Sequence, residues 1–203
     1  MILFDTEPIS LPKFISAQKL LEDKFILEFS NNDDDKKKIR KARRKTIELT
    51  MGDIACFVKP HSDFVCDTIV RGIVPKRHNG LDSPTVFVLV TDNKFDFYNI
   101  TEIADTKYKI LDRALERIIV KRVFTIHQLA HFLIIDLEKD IIKKYKSKLV
   151  IITGDFFLSD PQITREDKDW LYPQMIKAIK KVVSNSIILV FSPTKLSNLV
   201  NYG

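Results

Sequence analysis

Glycine is scarce in this chain: there are five in 203 residues, and none between Gly52 and Gly72. A phosphate-cradling loop needs glycines so that successive backbone N–H groups can turn inward, so that stretch excludes an ordinary one. Cysteine is equally sparse. Cys56 and Cys66 fall on an expected strand and an expected helix, at no metal-ligand spacing. They give no basis for a disulfide framework or a thiolate metal site, and fit a reduced, intracellular setting. No apolar run approaches a membrane span, and the start of the chain lacks a signal peptide's charged-then-apolar order. A soluble, cytoplasmic protein with no membrane partner is therefore expected.

What is present suits a globular domain. Hydrophobic residues make up 45% and charged residues 30%, with a formal net charge of +6. That balance permits an acidic partner without demanding one. Past Gly52, short Val- and Ile-rich runs alternate with amphipathic segments. The runs are Ile54–Val58, Val86–Val90, Arg117–Val120, Leu149–Ile152 and Ile187–Phe191; helices are expected over Ser62–Ile73, Ile100–Leu111, Ile126–Lys146 and Arg165–Ser184. Alternation of this kind predicts βαβ units and a parallel sheet covered on both faces.

The first fifty residues differ. A short helix over Phe14–Lys24 and a strand over Phe25–Phe29 lead into an acidic-to-basic run, Ser30–Lys45, whose second half has helical propensity. Lys36, Lys37, Lys38, Arg40, Lys41, Arg43, Arg44 and Lys45 place eight cations in ten positions. Such density suits sequence-independent contact with nucleic-acid phosphates; the plainer reading is a solvated charge run offset by Asp33–Asp35.

Four stretches carry a family resemblance. Thr50-Met-Gly-Asp-Ile-Ala55 is similar to the strand leading into the phosphate loop of RecA-type recombinases, especially archaeal RadA and its paralogs. Val88-Leu-Val-Thr-Asp-Asn-Lys-Phe95 resembles the family's strand ending in Asp-Thr-Glu-x-x-Phe. Arg122-Val-Phe-Thr-Ile-His-Gln-Leu129 resembles its Arg-Ala-Phe…His-Gln segment. Lys148-Leu-Val-Ile-Ile-Thr-Gly154 sits where the Walker B strand would. The resemblance implies an α/β fold, a RecA-like P-loop NTPase core with a mostly parallel sheet between helices, truncated at the C-terminus. It divides the chain into an N-terminal segment, 1–45, and a core, 46–203. It also places the Ile54–Val58 and Leu149–Ile152 strands side by side.

The departures decide what the core would do. Phosphoryl transfer needs cradled phosphates, a Mg²⁺ held by Ser/Thr and a Walker B acid, and a carboxylate to orient water. Here the turn reads Lys59-Pro60-His61-Ser62: Pro60 has no N–H, and His61 stands where the lysine would. Thr153 replaces the Walker B acid, Asp92 stands at the water-activating position and Ser62 at the Mg²⁺ hydroxyl. Pro60, His61, Ser62, Asp92 and Thr153 thus read as a vestigial nucleotide site with no catalytic residue, no metal and no cofactor. The resemblance then implies an accessory role in homologous recombination or DNA repair, with a RecA-type recombinase or another paralog and single-stranded DNA as partners. Phe14-Ile-Ser-Ala17 fits the Phe-x-x-Ala motif with which RadA-type proteins dock on a neighbouring core, Phe14 and Ala17 filling two small pockets. Arg165 and Lys168 lie in the region of the family's first DNA-binding loop.

Two further readings stay open at this level. Asp92, Ser62 and Asp155 would serve an enzyme with an unusual nucleotide or metal site; a purely structural subunit would use the basic run against RNA or an acidic protein. His127 and His131 are spaced four apart on a helix, but Gln128 stands where a zincin has Glu, so one or both are expected to cap or line the core. The carboxylates of Asp160–Asp169 are expected to cap a helix, with Thr164 or Asp160 at its start. Trp170 and Tyr172 are expected in the core or an interface rather than as base platforms.

Overall fold

The computed structural model describes residues 2–5, 7–8, 24–30, 44–92, 94–154 and 163–193. Phe14, Ala17, Lys36, Lys37, Lys38, Arg40, Lys41, Arg43, Asp155 and Asp160 lie outside them; Arg44, Lys45 and Arg165 are described in their backbone alone.

Strands are β1 (Ile2–Asp5), β2 (Glu7–Pro8), β3 (Phe25–Ser30), β4 (Arg44–Leu49), β5 (Ile54–Val58), β6 (Val86–Val90), β7 (Ile118–Arg122), β8 (Leu149–Thr153) and β9 (Ile187–Ser192). Helices are α1 (Ser62–Ile73), α2 (Phe97–Thr106), α3 (Leu111–Arg117), α4 (Ile126–His131) and α5 (Arg165–Val183). The segment expected as one helix over Ile100–Leu111 is two. Asp96 starts α2 early by accepting the Asn99 N–H at 3.0 Å, and Lys109 ends the run in a left-handed turn (φ 55°). The long helix from Ile126 is α-helical for six residues and then widens into a π-helix over Phe132–Lys144.

Among the described residues the main sheet has the order β2-β1-β5-β9-β8-β6-β7, with β2 antiparallel to β1 and every other pairing parallel. Helices cover both faces, so the expected α/β class with a parallel sheet holds. The expected contact between β5 and β8 does not. β9 lies between them, with Ile54 opposite Ile188 and Leu149 opposite Ile187. All six residues of β9 are buried, and only an interior position shields both faces of so apolar a strand.

The period-2 alternation splits the core. On one face Phe87, Leu89, Val150, Ile152 and Val190 meet α4, the π-helix and α5; on the other Val88, Val90, Ile151, Leu189 and Phe191 meet α1 and α2. α1 lies tight against the sheet at Gly72, where a Cβ would lie 2.7 Å from Leu149 Cδ2.

β3 and β4 form a separate antiparallel pair, from Phe25 opposite Leu49 to Ser30 opposite Arg44. Arg44 and Lys45 are therefore strand, and the helical propensity of the basic run gives way there to ladder pairing. The pair belongs to the same core as α1: Phe25, Leu27 and Leu49 are fully buried, and Arg71 on α1 donates to Ile26 O at 2.6 Å.

Candidate functional site at the carboxyl edge of the sheet

Parallel strands deliver all their carboxyl ends to one edge, and open α/β sheets bind ligands where the loops leaving that edge diverge to opposite faces. Here β5 and β6 lead to α1 and α2 on one face, while β7 and β8 lead to α4 and α5 on the other. Pro60, His61, Ser62, Asp92 and Thr153 all lie on this edge, as do Arg165 and Lys168 at the start of α5. The rest of the proposed nucleic-acid set, the Lys36–Lys45 run, leads into β4 instead.

The turn after β5 offers few free amides. Lys59 takes a left-handed φ of 49° and donates its N–H to Ser192 O at 2.8 Å. Pro60 has none. His61 caps α1: its Nδ1 accepts the Asp63 N–H at 3.3 Å, and its carbonyl accepts those of Phe64 and Val65 at 3.1 and 3.2 Å. Only the His61 and Ser62 N–H groups are left over among the described residues. Beneath the turn Phe57, Phe64 and Phe191 pack ring to ring, with centroids 5.2–5.8 Å apart. Ser62 shares a hydrogen bond with Cys66, whose thiol burial nevertheless pushes up to about 11. The other thiol, Cys56, is pushed by burial up to about 12.

Across the edge, Asp92 turns back on its own loop and accepts the Lys94 N–H at 3.1 Å. Gly154 (φ +95°) presses against it; a Cβ there would lie 2.8 Å from Asp92 Cγ and 2.7 Å from Thr91 Oγ1. Thr91 Oγ1 donates to Thr153 O at 2.9 Å. The Thr153 hydroxyl itself is buried with no hydrogen-bond partner. At that position the threonine contributes an unsatisfied oxygen and no charge.

The helix start expected near Thr164 is a full capping box. Asp167 N–H donates to Thr164 Oγ1 at 3.1 Å, and Asp167 Oδ2 accepts from Thr164 N–H and O–H at 3.2 and 2.7 Å. These bonds hold the Asp167 carboxyl below its usual range. Lys168 is half-buried behind it. His127 and His131 do not line the core; both are exposed, because Ile126, Leu129 and Ala130 take the buried side of α4. No group of three metal-ligating side chains exists among the described residues.

Sequence reasoning missed the aromatic character of this edge. Tyr172 is buried as expected, but Trp170 is 65% exposed. Phe124, two residues past β7 and one before the α4 cap, is 61% exposed; Phe97 and Tyr98, opening α2, are 48% and 87% exposed. Lys59, Lys94, Arg122 and Lys168 stand on the same loops and helix starts. The signal lay in position: each aromatic follows a strand's carboxyl end or sits in the first turns of the helix beyond it.

No protein-family model matches this chain, and no curated protein matches it. Among the described residues no helix is long and apolar enough to cross a membrane.

Proposed function

We propose that the chain is a RecA-type core that has given up phosphoryl transfer and works as a binding module in recombination or DNA repair, holding single-stranded DNA and a recombinase partner. The observation that carries this reading is the turn Lys59–Ser62. Lys59 donates its N–H to Ser192, Pro60 has none, and the next three amides, those of Asp63, Phe64 and Val65, are taken by His61 at the start of α1, so a triphosphate would meet two N–H groups where a cradle needs several. The loss of the Walker B acid at Thr153 agrees with it.

The carboxyl edge supports the DNA half. Exposed aromatic rings beside lysine and arginine side chains are the two components of sequence-tolerant single-strand binding: stacking platforms for bases, and cations for phosphates. The test combines two measurements on the full chain. Fluorescence anisotropy with a labelled single-stranded oligonucleotide is expected to show salt-sensitive binding, weakened by Phe124→Ala and Trp170→Ala by about 1–3 kcal/mol for each base unstacked. Phosphate release from ATP with Mg²⁺ and DNA is expected to stay at background. Steady ATP turnover abolished by Ser62→Ala would overturn the non-catalytic reading; no oligonucleotide binding at low salt would overturn the DNA reading.

A further inference from the structure

The opposite edge of the sheet holds a cavity of its own. α1 ends at Ile73, and the chain makes a 3₁₀ turn over Lys76–His78 before β6 begins. The α2–α3 connection returns to the same edge, and between the two lies an open cleft of about 1140 Å³. Four permanent cations line it, Arg77, Lys107, Lys109 and Arg113, together with His78, against two carboxylates, Asp105 and Asp112. Lys107 is committed, with its Nζ 2.6 Å from Asp67 Oδ1. The side chains of Arg77, His78, Lys109 and Arg113 have no ion-pair or hydrogen-bond partner among the described residues.

The backbone holding these side chains is fixed. Asn79 (φ 60°) and Lys109 (φ 55°) both take left-handed conformations, which cost a non-glycine residue energy and persist only where surroundings impose them. Asn79 N–H bonds Lys76 O at 2.9 Å, and Asn79 O accepts from Arg71 Nη2 at 2.7 Å. Across the cleft Ile110 N–H bonds Ala104 O at 2.9 Å. The Tyr108 hydroxyl is tied to Asp67 at 2.9 Å, and Pro75 and Leu111 add apolar lining.

We propose that this cleft binds a phosphate ester, its oxyanions held by Arg77, Arg113 and Lys109 with His78 alongside, and its organic part resting on Pro75, Tyr108 and Leu111. Guanidinium forks match phosphate oxygens two at a time, and cations from three segments suit a multiply charged group better than a single carboxylate. The volume far exceeds what an inorganic phosphate fills and is slightly above the upper end of small-molecule sites, about 1,000 Å³. The site is independent of the vestigial turn at the other edge.

Calorimetry on the full chain at low salt, with inorganic tripolyphosphate as probe, tests the assignment. The expected result is saturable one-site binding, weakened about tenfold or more by R77E/R113E and left unchanged by Ser62→Ala. Both arginines are exposed, so the melting temperature of the double variant should hold; if it drops, Lys109→Gln gives the same reading through a smaller loss. No binding, binding unchanged in R77E/R113E, or equal binding of citrate would each overturn the proposal.

Discussion

Among the described residues a single side-chain hydroxyl, Thr153 Oγ1, is buried without a partner, while its neighbour Thr91 is engaged. An unsatisfied buried oxygen destabilises, so Thr153→Val is expected to raise stability by roughly 1 kcal/mol, read as a higher urea midpoint with unchanged slope. Gly154→Ala acts in the other direction. The φ of +95° and the approach to Asp92 make any Cβ costly, and a loss of about 1–3 kcal/mol is expected by the same titration. The two cysteines give a pH prediction. Burial raises both thiols, to about 12 and about 11, above their unfolded values. Their contribution to stability is thus fully present below the unfolded pKa and is lost as pH rises through the folded values, so the unfolding midpoint should fall above about pH 9. At pH 8 a thiol reagent should label neither cysteine until the protein is denatured.

The elements show where sequence is informative. β5, β6 and α1 have the expected bounds, because each pairs an unbroken apolar pattern with a clear stop: Lys59-Pro60 after β5, and Val74-Pro75 after α1. A cap at Thr164 or Asp160 was also expected; the structure puts a capping box at Thr164, and Thr164→Ala should cost about 1 kcal/mol by denaturant titration. What stayed hidden depends on contacts between distant segments. Lys109 breaks a helical pattern with no proline or glycine to announce it, and the exposure of His127 and His131 follows from which side of α4 meets α5. Strand order is the extreme case. Composition marked β9 as a buried strand, but its insertion between β5 and β8 is a property of the assembled sheet. At the carboxyl edge the glycine-free turn could be read residue by residue; the exposed rings could not, since Phe124 and Trp170 look like core residues until their surroundings are known.

On the scale of the whole molecule, the β3–β4 pair ties the charged run to the core. Phe25 is fully buried among the residues that pack on α1, so Phe25→Ala should cost about 3–5 kcal/mol and lower the melting temperature of the entire chain in one transition. If the run touches DNA, replacing Arg40, Lys41, Arg43 and Arg44 by Ala should flatten the salt dependence of binding, by roughly 0.7 in slope for each single-strand phosphate no longer neutralised. The position of β9 carries a further consequence, one of timing. A ribosome delivers β5, β6, β7 and β8 before the strand that joins β5 to β8 exists, so until residues 187–192 emerge the nascent sheet is two fragments, each with an open apolar edge. Folding of this chain therefore waits on nearly its last described element, and a chaperone able to shield bare strand edges has its longest opportunity just before β9 arrives.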